Sequence, residues 1–209
     1  MSKKALIFVM LFSFGLIIMS LYIINTLNIE SKPKPTSEIM NVSSMDIKVN
    51  EDFKLKFSDG KDFTFSNLKN KFTIIYFGFV HCPDMCPETV SKMSQIIEKM
   101  SDNEMSQLQF IFVSIDPKRD NNDSLQKFTT NFNKSIFSAT GEKDELNKLT
   151  NSLKAYYASD STSNNKDDYY VDHSSFMYLL SPEAKLISQF APNALAEDIA
   201  KQIRTKMKD

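Results

Sequence analysis

A nearly continuous apolar run, FTIIYFGFV, covers residues 72–80 and is followed at once by the segment HCPDMCP. A run of this length predicts a strand buried on both faces, as in the middle of an α/β sheet. A second such run covers residues 108–115. Between the two, apolar residues recur at helical spacing: Val90, Met93, Ile96, Ile97 and Met100. The pattern predicts a β-α-β unit with a right-handed crossover.

The flanking sequence adds further strands and helices. Apolar residues alternate on both sides of Asp59-Gly60, which predicts a β-hairpin. Strands are predicted at residues 135–139, 169–180 and 185–190, and residues 158–168 are predicted to form a polar surface loop. Helical spacing returns in three later stretches, around Leu125, Leu149 and Ile199. This order of elements predicts an α/β fold.

The N-terminal segment predicts a membrane anchor. Residues 5–24 are twenty residues without a charge, and that length just spans a hydrocarbon core of roughly 30 Å as a helix. Lys3 and Lys4 precede the run, so the positive-inside rule places the N-terminus in the cytoplasm. A cleaved signal peptide is the alternative, although no A-x-A-like cleavage site follows. We expect a single-pass protein of a bacterial inner membrane, with its soluble domain in the periplasm.

The domain organisation follows from this segment. Residues 1–27 are predicted to form the N-terminal anchor and residues 28–52 a linker, in which Pro33 and Pro35 favour an extended chain. Residues 53–209 are predicted to form the soluble domain. The formal net charge is −1 and the lysines are scattered among acidic residues, so no nucleic-acid partner is expected.

The chain has two cysteines, Cys82 and Cys86, at the end of the first buried strand. Residues four apart lie one helical turn apart, within reach of a disulfide or of one shared metal ion. A helix beginning just after Cys86 is expected to lower the pKa of the thiols. The alternative is a structural disulfide or two buried cysteines. So short a loop would gain little stability from a disulfide, and placement between two prolines argues against core packing. The position at a strand-to-helix junction indicates, by analogy, a thioredoxin-like fold.

The histidines are His81 and His173. His81 adjoins Cys82, so its side chain is expected to point away from the thiols. His173 is either a buried imidazole of the core or a third ligand. Two thiolates and one imidazole form a soft donor set that suits Cu(I) best and can bind Cu(II) or Zn(II). Asp116, at the end of the second buried strand, is either a turn residue or a group that orients a ligand, and Met85 is a candidate for a weak contact.

Three segments resemble the Sco (SenC) family of copper chaperones: FGFVHCPDMCPETVSKM, FIFVSIDPKRD and YYVDHSSFMYLLSP. The resemblance runs from about Phe53 to the C-terminus. It implies a thioredoxin-like domain that binds copper, as Cu(I) or Cu(II), through Cys82, Cys86 and His173. It also implies delivery of that copper to the CuA site of cytochrome c oxidase subunit II.

Two functions remain open at this level. The first is a copper metallochaperone, which is not an enzyme in the turnover sense. The second is a membrane-anchored thiol-disulfide oxidoreductase, in which Cys82 and Cys86 cycle between dithiol and disulfide and keep the cysteines of a target reduced. The three-residue spacer favours the first, because thioredoxin-type reductants typically carry C-x-x-C. Both need reduced cysteines, so an external thiol reductant is an expected partner.

Overall fold

The described part of the chain comprises residues 3–29, 39–42, 45–159, 169 and 171–208 of a computed structural model. The chain divides into two units, Met1–Thr36 and Ser37–Asp209. The first contains helix α1, Lys3–Ile29. Within the described residues, no helix has the combined length and apolar character that crossing a bilayer requires. The transmembrane anchor therefore stays a prediction.

The second unit contains strands and helices in mixed order. Its helices are α2 (Met85–Lys99), α3 (Asp102–Ser106), α4 (Asn122–Phe132), α5 (Lys143–Ser152) and α6 (Ala196–Lys206). Its strands are β1 (Ile39–Asn41), β2 (Lys54–Phe57), β3 (Asp62–Thr64), β4 (Phe72–Gly78), β5 (Leu108–Ser114), β6 (Ile136–Thr140), β7 (Tyr157–Ser159), β8 (Val171–His173), β9 (Met177–Leu180) and β10 (Leu186–Phe190). The predicted α/β class is confirmed.

The main sheet has eight strands in the order β1-β10-β9-β4-β5-β6-β2-β3. Strands β4, β5 and β6 are parallel and central. Strands β4 and β5 are the two apolar segments that the sequence predicts as buried, and β6 matches the short strand predicted at residues 135–139. Six of the seven residues of β4 are buried, as are six of the seven of β5. Burial on both faces explains why these runs lack alternation.

The register of the two central strands places the functional segments. Gly78 at the end of β4 lies beside Ser114 at the end of β5, and the Ile115 N–H donates to the Gly78 carbonyl at 2.9 Å. The two chain segments that follow therefore leave from the same edge of the sheet. Ligand sites in open α/β sheets form at this carboxyl edge.

Two expectations need correction. Residues 169–180, predicted as one strand, contain two: β8 pairs with β7 in a separate two-stranded sheet, whereas β9 pairs with β4 and β10. Ser174 and Ser175 interrupt the apolar pattern between the two strands, and the two parts have different hydrogen-bonding partners. Helix α2 begins at Met85 rather than after Cys86.

The predicted linker and loop are only partly described. Residues 30–38 and 43–44 of the linker lie outside the described residues, as do residues 160–168 of the predicted surface loop. Of the linker residues that are described, Ile39–Asn41 form β1 and pair with β10. A further bridge joins Lys48 to Lys185. The sheet of the second unit therefore extends N-terminal to the boundary predicted at residue 53.

Candidate metal centre

Three side chains from distant parts of the sequence converge at the carboxyl edge of the sheet. The Cys82 and Cys86 sulfurs and one His173 ring nitrogen all lie within 4.8 Å of one another. The Cys86 Sγ atom is 3.7 Å from His173 Nε2. Cys82 lies in the segment after β4, Cys86 in the first turn of α2, and His173 at the end of β8. These are the three residues that the sequence proposes as ligands.

The two cysteines are free thiols in different environments: Cys82 is partly exposed and Cys86 is fully buried. The Cys86 backbone N–H donates to Cys82 Sγ at 3.4 Å, so the Cys82 sulfur satisfies one of the open donors at the start of α2. Burial raises the pKa of the Cys86 thiol to about 12. The expectation that the helix N-terminus would lower this pKa is therefore wrong for Cys86, because desolvation of the thiolate is the larger effect.

The Cys86 sulfur packs against two residues of β4, Tyr76 and Gly78. The Tyr76 hydroxyl donates to Cys86 Sγ at 3.6 Å in the protein interior. Gly78 lies directly beneath the sulfur, since a Cβ at that position would be 2.7 Å from Cys86 Sγ. A side chain there would occupy the space of the sulfur. Sequence reasoning identified neither residue, because both look like ordinary parts of an apolar strand.

His173 presents one nitrogen to the sulfurs. Its Nδ1 lies 3.2 Å from the Ser174 carbonyl oxygen. A carbonyl only accepts, so Nδ1 carries the proton and Nε2 keeps its lone pair. Burial lowers the pKa of His173, which favours the neutral, metal-binding form of the imidazole. The ring packs edge-on against Tyr76 and Phe79, with centroid distances of 6.1 and 5.8 Å.

The other candidates lie beside the three residues and do not belong to the group. The His81 side chain is 54% exposed, and its Nδ1 is 3.5 Å from Asp120 Oδ1. Met85 is exposed. Asp116 is buried and accepts hydrogen bonds from the Tyr169 hydroxyl and Arg119 Nε. These contacts are therefore to the loop after β5 and to Tyr169, which lies two residues before β8.

Asp120 is a residue that sequence reasoning missed. It is buried, and its Oδ2 accepts hydrogen bonds from the Val80 N–H at 2.9 Å and the Ser114 hydroxyl at 2.6 Å. Burial raises the pKa of this carboxyl. Asp120 thus ties the start of the cysteine segment to the end of β5. The only signal in the sequence is a second acidic residue four positions after Asp116.

The donor set fits a soft, low-coordinate metal ion. It comprises two sulfurs and one imidazole nitrogen, and within the described chain no fourth His, Cys, Asp or Glu side chain joins the group. Thiolates select Cu(I), and imidazole also suits Cu(II). A closed structural zinc site normally has four protein ligands, so the set fits copper better than structural zinc.

Comparison with known proteins gives one consistent result. Residues 42–208 match the family model described as SCO1/SenC. The mitochondrial protein SCO2 of Saccharomyces cerevisiae is 36% identical over 155 residues, which cover 74% of this chain and 52% of that protein. A SCO2-like protein of Rickettsia typhi is 30% identical over 206 residues, covering 99% and 100% of the two chains. The chain therefore spans about half of the yeast relative and all of the rickettsial one.

A solved structure has the same fold. The crystal structure of yeast Sco1 with copper bound superposes with a TM-score of 0.71 and 32% identity, over 78% of this chain and 90% of that chain.

Proposed function

The chain belongs to the SCO1/SenC family, and from that premise we propose that it is a copper metallochaperone. It holds one copper ion through Cys82, Cys86 and His173 and delivers it to the CuA site of cytochrome c oxidase subunit II. The observation that carries the proposal is the convergence of two thiols and one imidazole within 4.8 Å. The copper-bound yeast Sco1 structure supports it, since its domain has the same fold.

The geometry suits a carrier of copper. Three protein ligands leave a position on the ion to which an acceptor's ligand can add before the donor's ligands leave. Cys82 is partly exposed, so exchange can begin at its sulfur while Cys86 and His173 still hold the ion. The buried Cys86 thiol must lose its proton when copper binds, because the thiolate is the ligand.

A thiol-disulfide oxidoreductase is the second candidate. The observation that favours it is the closeness of the two free thiols, whose sulfurs lie within 4.8 Å. In that reaction, one thiolate attacks a disulfide of the target to form a mixed disulfide. The other thiolate then displaces the target thiol, which leaves Cys82 and Cys86 oxidised and the target reduced. An external thiol reductant restores the dithiol. His173 is dispensable for these steps.

Copper binding by His173→Ala tests the two candidates against each other. We expect the reduced parent to hold one equivalent of copper and the variant to bind Cu(II) at least about a hundredfold more weakly, because one ligand, worth roughly 3 kcal/mol, is lost. Thiol-disulfide exchange should continue in the variant. The measurements are chelator-competition titrations and reduction of a disulfide-bonded model peptide, with His81→Ala as the matched control.

The outcomes separate the candidates. A parent that retains no copper but readily exchanges a Cys82–Cys86 disulfide would favour the oxidoreductase. Copper affinity unchanged in His173→Ala would exclude the three-ligand site.

Attachment to a bacterial inner membrane is a separate part of the proposal and rests on the sequence. Residues 5–24 are uncharged and Lys3 and Lys4 precede them, and the described large apolar side chains of α1 are exposed. The alignment with the Rickettsia typhi protein covers 99% of this chain, which includes most of this segment. The full chain should stay in the membrane pellet after alkaline carbonate extraction, whereas a chain lacking residues 1–27 should be released. Release of the full chain would contradict the anchor.

A further inference from the structure

The loop after β5, residues 115–121, contacts both halves of the candidate site. One arm is Asp120, which accepts from the Val80 N–H two residues before Cys82. The other arm is formed by Asp116 and Arg119, which contact Tyr169. The loop therefore bridges the cysteine segment and the chain segment that leads to His173.

The second arm is a set of mutual contacts among three residues, here called the tyrosine latch: Asp116, Arg119 and Tyr169. The Tyr169 hydroxyl and Arg119 Nε donate to the two different carboxylate oxygens of Asp116. Arg119 Nη1 donates to the Tyr169 carbonyl at 3.0 Å. The Arg119 guanidinium lies 3.9 Å from the Tyr169 ring centroid, a distance typical of a cation–π contact.

Asp116 of the latch is buried, and Arg119 and Tyr169 are partly buried. Asp116 is 3% exposed and the Arg119 side chain is 11% exposed. Burial and the Asp116 carboxylate raise the pKa of Tyr169 to about 12, so its hydroxyl remains a proton donor at neutral pH. Charge-assisted hydrogen bonds in such surroundings are stronger than neutral ones.

The latch anchors the N-terminal side of the strand that bears His173, in addition to the buried Val171 side chain and the ring contacts of His173. Strand β8 has three residues and pairs only with the three-residue β7 among the described strands, outside the main sheet. Tyr169 lies two residues before β8, and four before His173. The Arg119 guanidinium also lies 5.6 Å from the Phe79 ring, whose edge-on contact holds the imidazole.

We propose that Tyr169, held by Asp116 and Arg119, is a positioning residue that sets the distance of His173 from the two cysteine sulfurs. This role of Tyr169 refines the proposed copper site and rests on that proposal. Two thiolates alone are a soft pair that satisfies Cu(I), whereas Cu(II) gains from the imidazole nitrogen. Loosening the latch therefore weakens Cu(II) binding more than Cu(I) binding. A general loss of stability would weaken both forms alike.

Tyr169→Phe in the full chain tests the latch, because it removes the hydroxyl and keeps the ring beneath Arg119. We expect Cu(II) affinity to fall at least about tenfold, the range for loss of a group that orients a ligand, with a much smaller change for Cu(I). The charge-transfer absorption of the Cu(II) protein should change with it. Tyr156→Phe is the matched control, because it removes the same hydroxyl from a tyrosine that is 60% exposed.

A second measurement does not need copper. His81 and His173 are the two histidines of the chain, so nitrogen NMR of the metal-free protein can resolve both imidazoles. In Tyr169→Phe, a displaced His173 ring should lose its Nδ1 contact to the Ser174 carbonyl oxygen. The fraction of His173 in the tautomer protonated at Nδ1 should therefore fall, while the His81 signals should stay unchanged. Arg119→Lys should give the same result, since lysine keeps the charge but lacks the planar group that contacts the Tyr169 ring and carbonyl.

The outcomes separate this inference from the proposed function. Equal losses of Cu(I) and Cu(II) affinity, or an unchanged His173 signal in both variants, would overturn the latch. A parent that binds no copper would overturn the proposed function. In that case the His173 signal alone decides whether the latch positions the imidazole.

Discussion

Replacing Cys86 by serine is expected to weaken Cu(I) binding at least about a hundredfold. The free energy of zinc binding to four-ligand structural sites is about 10–16 kcal/mol, or roughly 3 kcal/mol for each ligand. Since about 1.4 kcal/mol corresponds to a tenfold change in affinity, loss of one ligand weakens binding about a hundredfold. A serine hydroxyl is a hard, neutral ligand at physiological pH and does not replace a thiolate. Serine nearly matches the shape of cysteine, and the Tyr76 hydroxyl that contacts Cys86 Sγ can still form a hydrogen bond there. The effect should therefore be one of ligation and not of folding.

The measurement is a competition titration against a Cu(I) chelator under anaerobic conditions. Met85→Leu is the matched control, because Met85 lies between the two cysteines, is exposed, and does not belong to the converging group. Its affinity should equal that of the parent. If Cys86→Ser holds Cu(I) as tightly as the parent, the proposed ligand set is incorrect.

Gly78→Ala should damage both the fold and the site. The added Cβ would lie 2.7 Å from Cys86 Sγ, 2.9 Å from Phe112 Cε2 and 3.2 Å from Tyr76 Cε1. All three neighbours are buried, so none can move into solvent. Overpacking of a well-packed core typically costs about 1–3 kcal/mol in the free energy of unfolding. The sulfur must also shift relative to His173 Nε2, so the copper affinity of the folded fraction should fall as well.

Gly141→Ala provides a control with a similar clash against Leu55 instead of the Cys86 sulfur. Its added Cβ would lie 2.7 Å from Leu55 Cδ2 and 3.3 Å from Leu55 Cα. Urea unfolding should show a loss of stability in both variants, while copper titration of the folded proteins should show a loss of affinity only in Gly78→Ala. Equal copper affinity in the two variants would mean that Gly78 does not set the position of the Cys86 sulfur.

Local patterns were enough to predict the central architecture. The sequence predicted strand β4 from its apolar run and the hairpin from Asp59-Gly60. Gly60 adopts a left-handed φ of 85°, as the turn requires. Apolar runs indicate buried strands, and turn residues indicate chain reversal. Both signals come from residues that are close together in the sequence. The limit appears at residues 169–180, which the sequence predicts as one strand but which contain two strands with different partners.

The sequence by itself determined which residues are the candidate ligands. Cys82, Cys86 and His173 were identifiable from residue type, spacing and family resemblance, and the structure brings them together. Their identity is a covalent property of the chain and needs no folding to be read.

Only the tertiary structure decided how these residues are held and how they titrate. Asp120 reaches the Val80 N–H across forty positions of sequence, and Asp116 reaches the Tyr169 hydroxyl across fifty-three. No local pattern encodes such pairs, because they follow from which strand ends lie side by side. The pKa of Cys86 likewise rises to about 12 through burial, against the local effect of the helix N-terminus, because the cost of desolvating a thiolate depends on every element packed around it.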